Sequence, residues 1–212
     1  MKKLLIVGLG GHSKVIADIA LEMGYSDISF VSRDVLPNSI KSFDIFYESD
    51  LPDNFYDKFD EVIVAIGNNF TREKKMTELS NMGMSFGTLI HPKSVVSRFC
   101  GIGAGSVVMA NAVINAGAVL GKGVIINTGA IVEHECAVGD CVHVSPNALL
   151  AGAVEVGNRT WVCAGATVSN NVKIGADVIV GAGAVVLSDV PDGLVVYGVP
   201  AKNKLQKERE VK

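Results

Sequence analysis

Residues 126–143 read INTGAI VEHECA VGDCVH, three consecutive hexads, each opened by an aliphatic residue and each carrying a small or β-branched residue four places later. The register extends in both directions. Counting by sixes from Val96 to Val186 meets Val, Ile or Leu at sixteen consecutive steps, and the positions four further on, from Cys100 to Val190, hold only Cys, Ser, Ala, Val or Thr. A six-residue period with two inward classes is the pattern of a hexapeptide β-helix, whose short strands bury their inner face only by stacking coil on coil.

If three hexads close one triangular coil, residues three hexads apart stack and the outward positions form columns. One column holds Val107, Ile125, His143, Trp161 and Ile179, an apolar stripe where water is expected. Such a stripe marks either an interface, as in a ring of three prisms, or an edge covered by the chain's own termini. A second column holds Arg98, Ala116, His134, Gly152 and Asn170. His134 lies between Glu133 and Glu135, so a carboxylate is at hand to orient its imidazole as a general base, the alternative being a solvated histidine. Gly152, one coil above, has no side chain to hinder a backbone N–H from facing a bound carbonyl. His134 and His143, nine residues apart, are expected on adjacent faces of the prism, both able to border one cleft between subunits.

Before the repeat, Leu4 to Val7 reads as a buried strand, Gly8-Leu9-Gly10-Gly11-His12 as a glycine loop, and Val15, Ile16, Ile19, Ala20 and Met23 as a helix ended by Gly24. Ile28 to Val31 reads as the next parallel strand. It places Ser32, Arg33 and Asp34 at its C-terminal end, where open α/β sheets bind ligands. Glu61 to Gly67 is a further strand, Asn68-Asn69 opens a helix through Arg72, Met76 and Leu79, and Phe86 to Ile90 reads as a last strand. The chain therefore divides into a Rossmann-like domain at 1–92 and a β-helix with a tail at 93–212. The loop departs from the dinucleotide fingerprint, since Ser13 stands where Gly-x-Gly-x-x-Gly needs its third glycine. Backbone amides at a helix start suit the diphosphate or sugar of a nucleotide-sugar, with His12 as a donor at the loop tip; the bland alternative is a tight turn with a solvated His12.

Composition narrows the classes. With 212 residues, 49% apolar and a net charge of −3, the chain carries no basic footprint for nucleic acid or anionic membrane. No apolar run approaches the roughly 18 residues of a membrane span, so no membrane insertion and a cytoplasmic location are expected. All four cysteines lie in the repeat. Cys100 and Cys136 fall two coils apart, about 10 Å at ~4.8 Å per coil and too far for a disulfide. Cys136 and Cys141 lack a second Cys or His pair, so the thiols read as reduced and structural, with no metal.

The Asn-Thr-Gly-Ala-Ile-Val-Glu-His-Glu-Cys run at 127–136, His-Val-Ser at 143–145 and Tyr-Gly-Val-Pro-Ala-Lys at 197–202 resemble left-handed β-helix acyltransferases. With Gly-x-Gly-Gly-His at 8–12 and Ala-Ile-Gly-Asn-Asn-x-x-Arg at 65–72, the chain resembles the NeuD family of sugar acetyltransferases along nearly its whole length. Within that family it is most similar to the PglD-type N-acetyltransferases of UDP-4-amino-sugars. The resemblance implies a homotrimer of left-handed coils with acetyl-CoA as co-substrate between neighbouring prisms. It implies His134 as general base toward the sugar amine, Glu135 as its partner, and Asn127 as a placer of imidazole or substrate. The Gly152 amide would hold the oxyanion, His143 would contact the thioester end, Ala164 and Ala182 would line the pantetheine groove, and Lys202 would approach the CoA 3′-phosphate. The nucleotide-sugar would hang on Gly10, Gly11, His12 and Gly67. One departure stands out: where the N-acetyltransferase relatives place two aspartates, this chain has Ser32 and Arg33, which puts the base or sugar in question. O-acetylation of a sialic or other surface sugar and a non-catalytic nucleotide-sugar scaffold remain the alternatives. A γ-type carbonic anhydrase would need three zinc histidines, and the solenoid has only His134 and His143.

Overall fold

A computed structural model describes residues 2–33, 43–52 and 54–203; Asp34 and the tail from 204 to 212 lie outside them. The first part holds strand β1 (Lys3–Val7), helix α1 (Gly11–Glu22), strands β2 (Asp27–Ser32), β3 (Asp44–Tyr47) and β4 (Glu61–Val64), and helix α2 (Asn69–Asn81). The strands form one parallel sheet in the order β3-β2-β1-β4. Leu4 to Val7 is buried throughout, as a central parallel strand covered on both faces must be. Helix α1 turns Ile16, Ala17, Ile19 and Ala20 inward. The side chain of Asn68 caps α2 by accepting from the Thr71 N–H at 2.9 Å.

Two features differ from the sequence reading. The edge strand β3 is only four residues long and half-buried, and its short apolar run, Ile45-Phe46-Tyr47, is absent from that reading. The strand expected at 86–90 divides: Phe86 bridges Val62 of β4, while Leu89–Ile90 pairs with Val107–Val108 of the solenoid.

From there the chain winds as a left-handed parallel β-helix of two-residue strands in three faces, an exception to the right-handed crossover rule. The first face has eight strands, from Leu89–Ile90 to Lys202–Asn203; the second has six, from Val95–Val96 to Val185–Val186; the third has five, from Gly101–Ile102 to Lys173–Ile174. Both inward classes fill one core, with Ile114, Val132, Val144, Val162 and Val180 at 0% exposure beside Ala130, Ala148 and Ala166. A third periodic class shapes the edges. Every sixth residue from Gly105 to Gly183 has positive φ, and these positions are Gly, Asn or Asp except Glu135, Cys141, Ala153 and Arg159. Left-handed backbone costs other residues roughly 1–2 kcal/mol, and at two of the exceptions the side chain has a charged partner: Glu135 faces His134, and Arg159 pairs with Glu73 and Asp177.

The N-terminal domain docks on the lower part of the first face. Val107, Met109 and Ile125 share a core with Leu4, Ile6, Ile16, Ile19 and Ile63, and Met76 of α2 lies against Gly105 and Gly123 on the edge between the third and first faces. The apolar stripe therefore splits: Val107 and Ile125 are covered within the chain, whereas Trp161 and Ile179 remain 44% and 38% exposed. The four cysteines are unpaired. Among the described residues, no helix is long and apolar enough to cross a membrane and no group of three His, Cys, Asp or Glu could hold a metal ion.

Candidate active site

Two half-sites stand on opposite sides of the prism. The first lies on the edge between the second and third faces. His134 is exposed there, and its Nδ1 is 3.4 Å from Glu135 Oε2. Glu133 Oε2 instead accepts from the His134 main-chain N–H at 3.3 Å, so Glu135 is the carboxylate left for the ring. Glu135 reaches that position with φ of 60°, one of the four exceptions at the left-handed turn. One coil above, a Cβ on Gly152 would stand 2.7 Å from both Cε1 and Nε2 of His134 and 3.3 Å from Asn170 Nδ2. Glycine there makes room for the imidazole. Among the described residues the Gly152 N–H enters no main-chain hydrogen bond.

The second half-site is on the first face, above the docked domain. His143 pairs in register with Ile125 below and Trp161 above, and its ring lies parallel to the indole, 9° between planes and 6.0 Å between centroids. Asn127 Oδ1 accepts from the Thr128 N–H at 2.8 Å, which turns Nδ2 toward His143 Nε2 at 3.0 Å. The amide donates, so His143 Nε2 is the acceptor and its proton sits on Nδ1. Burial, then the charge of Arg72, then His12 push the His143 pKa down to about 3, so the ring is neutral at physiological pH. Asn127 thus orients His143, not His134. Ala164 and Ala182 stack, exposed, on the edge after this face, where the Gly183 N–H donates to the Ala164 carbonyl at 2.9 Å. Lys202, exposed, lies in the terminal strand of the same face, four strands above His143 and about 19 Å away at ~4.8 Å per strand.

His134 and His143 were expected on adjacent faces, bordering a cleft between subunits. Instead His134 occupies the edge opposite the face that carries His143, because their separation is half a coil. Within one chain the two half-sites do not meet.

The third group lies where the strand order reverses, between the C-terminal ends of β1 and β4. Gly10, Gly11 and Gly67 flank open space, for a Cβ on any of them would meet nothing within 4 Å. Ser13, in the place of a third glycine, is fully buried and donates to the Gly10 carbonyl at 2.7 Å. His12 is not a solvated loop tip: its Nε2 is buried with no hydrogen-bond partner among the described residues. Burial, with Arg72 adding to it, lowers its pKa to about 4. Ser32 is buried and Arg33 exposed at the end of β2.

Between this crevice and His143 lies a residue that the sequence reading gave no role. Arg72 on α2 is 1% exposed, with its guanidinium bonded to carbonyls of both domains. Asn69 joins it, donating to the carbonyls of Arg159 and Thr160 at 2.8 and 3.1 Å. The signal was the Asn-Asn-x-x-Arg spacing, which puts Asn69 and Arg72 on one helix face.

Known proteins share this fold. The PglD N-terminal domain family matches residues 3–79, and the bacterial transferase hexapeptide family (six repeats) matches 153–188. The acetyltransferase domain of PglB from Neisseria gonorrhoeae FA1090, in complex with acetyl coenzyme A, is 39% identical over 96% of this chain and 99% of that one, with a TM-score of 0.91. PerB from Caulobacter crescentus, in complex with CoA and GDP-perosamine, is 39% identical over 96% of this chain and 98% of that one, with a TM-score of 0.90. This chain belongs to their family, the hexapeptide-repeat sugar N-acetyltransferases. A histidine variant of perosamine N-acetyltransferase from the same organism, also with CoA and GDP-perosamine, aligns at 38% identity over 96% of this chain and 97% of that one, TM-score 0.91. WeeI from Acinetobacter baumannii AYE, at 22% identity and a TM-score of 0.78, shares the fold with these N-acetyltransferases.

Proposed function

We propose that this protein transfers the acetyl group of acetyl-CoA to the amine of a nucleotide-linked 4-amino-sugar, of the UDP-4-amino-4,6-dideoxy type, without an acyl-enzyme. The observation that carries the mechanism is the imidazole of His134 set against Gly152 with Glu135 at its Nδ1. Nδ1 donates to Glu135 and Nε2 takes a proton from the attacking amine, as a general base does near neutral pH. The amine nitrogen bonds to the thioester carbonyl carbon, and the Gly152 N–H supports the oxygen as it gains charge. The C–S bond then breaks, and the proton held on His134 leaves with the CoA thiolate. Neutral His143, its tautomer set by Asn127, contacts the thioester end.

The opposed half-sites support a homotrimer. Setting the His134 edge of one prism beside the His143 face of the next gives a site that no single chain holds, and it covers Trp161 and Ile179. Acetyl-CoA then runs along Ala164 and Ala182 toward Lys202. The acceptor's nucleotide lies in the crevice of Gly10, Gly11, His12 and Gly67. Holding amine and thioester together supplies much of the rate.

Acetyl-CoA turnover against UDP-4-amino-sugars, GDP-4-amino-sugars and free sialic acid tests the reading. Transfer to an amine on a nucleotide supports it. Activity only on a hydroxyl acceptor overturns it. Ser32 and Arg33, in place of paired acids at the end of β2, are the residues to vary if GDP proves the better nucleotide.

A further inference from the structure

Arg72 is a buried cation with no carboxylate partner among the described residues, and the Cys141 thiol beside it is held protonated by burial. Its Nε donates to Gly123 O at 2.8 Å, Nη1 to Ile66 O and Gly67 O at 2.9 and 3.1 Å, and Nη2 to Cys141 O at 2.7 Å, Val142 O at 3.4 Å and Asn69 Oδ1 at 2.9 Å. Every acceptor is neutral. Among the described residues no carboxylate pairs with it, and the neighbouring Glu73 is taken by Arg159 at 2.9 Å. Burial lowers its pKa to about 10, which leaves it charged at neutral pH. Taking a charge out of water without an opposite charge is costly, and a clamp between carbonyls alone could be built from neutral donors.

The placement suggests what the charge serves. Ile66 O and Gly67 O, held by Nη1, follow β4 at the switch-point crevice, the same crevice that Gly10, Gly11 and Gly67 leave open and that holds the unpartnered His12 Nε2. The charge is felt there, since it disfavours protonation of His12 and, on the solenoid side, of His143. Helix α1 begins at Gly11 with no acid in its first turn, so nothing negative at that end of the helix offsets it; its acids, Asp18 and Glu22, lie further along.

We propose that Arg72 is the fixed counter-charge for the acceptor's diphosphate, acting through the floor of the crevice without touching the ligand. The inference rests on reading that crevice as the acceptor site. In a low-dielectric interior a fixed charge acts across one layer of backbone, and it favours a diphosphate over a neutral nucleoside. Arg72 is therefore a positioning and specificity residue: it ties the crevice to the turn that leads into His143 while supplying the field that selects an anionic acceptor.

The test is calorimetric binding of UDP, GDP, uridine, guanosine and acetyl-CoA to the full chain and to Arg72→Gln and Arg72→Lys. Gln should weaken the better-bound diphosphate by about tenfold or more while changing its nucleoside and acetyl-CoA less than about threefold, and Lys, which keeps the charge, should restore most of the diphosphate affinity. Parallel weakening of nucleoside and diphosphate, an unaltered diphosphate affinity, or a wild type that binds neither diphosphate would overturn the proposal. Should the Gln variant not fold, the Arg72 Nε–H resonance of the wild type decides: it must shift with UDP or GDP and not with the nucleoside. A resonance that stays in place under the diphosphate counts against the proposal. If the affinities behave as expected but the wild type transfers no acetyl group, the proposed reaction fails and this inference stands.

Discussion

Gly152 and His134 hold the same edge position in successive coils, and the ring lies so close to the glycine that a Cβ there would stand 2.7 Å from its Cε1 and Nε2. The imidazole depends on the missing side chain. Gly152→Ala should push the ring off its place and lower transfer by about 30-fold or more, within the range of a displaced general base. His134 is exposed and free to swing, so the melting temperature should move by only a few degrees. Full transfer in a folded Ala variant would show that the contact is incidental.

Glu135 occupies a left-handed turn position that glycine fills more comfortably. Glu135→Gly should leave stability unchanged or raise it by up to about 1 kcal/mol, while transfer falls by about tenfold as His134 loses its partner. Thermal unfolding and transfer rate measured together check this. A variant that loses both would make Glu135 a structural residue.

His12 and His143 are held neutral, with pKa values near 4 and 3 against an ordinary 6.5. Because their folded values are depressed, the unfolded chain binds more protons as pH falls. The stability they allow is complete above 6.5 and is lost from there downward toward their folded values. The loss is on the order of 2 kcal/mol per imidazole by pH 5. Unfolding midpoints between pH 7 and 5 should fall, and His143→Gln should fall less steeply than wild type. Identical slopes would contradict the assignment of buried neutral rings.

Trp161 and Ile179 are exposed apolar residues stacked above His143. Ile179→Asp should give a folded monomer by sedimentation, without transfer activity. A trimer that survives would show that Ile179 is not at the contact, and an active monomer would show that each chain holds a complete site. Co-expressed His134→Ala and His143→Ala chains should recover part of the activity that each lacks alone.

The solenoid was legible because its core reads as a single row of aliphatic steps from Val96 to Val186, a pattern few other folds produce. The left-handed series at Gly105, Asn111 and Gly117 was equally present, but its exceptions at Glu135, Cys141, Ala153 and Arg159 hid it. The stripe from Val107 to Ile179 showed that something covers it without naming what, since a neighbouring domain and a neighbouring chain demand the same apolar residues. Arg72 was opaque for a related reason. On a polar helix a lone arginine reads as solvated, and only the folded chain brings Gly67, Gly123 and Cys141 around it. The relation of His134 to His143 was available in principle, for nine residues is half a coil of three hexads.

In the proposed reaction His134 carries the proton during acetyl transfer to a nucleotide-linked amine. The decisive measurement is the rate of transfer from acetyl-CoA to the preferred nucleotide-4-amino-sugar by wild type and by His134→Ala. Removal of the base should cost at least about 100-fold in kcat with acetyl-CoA binding unchanged. A His134→Ala enzyme that transfers at close to the wild-type rate would contradict the mechanism.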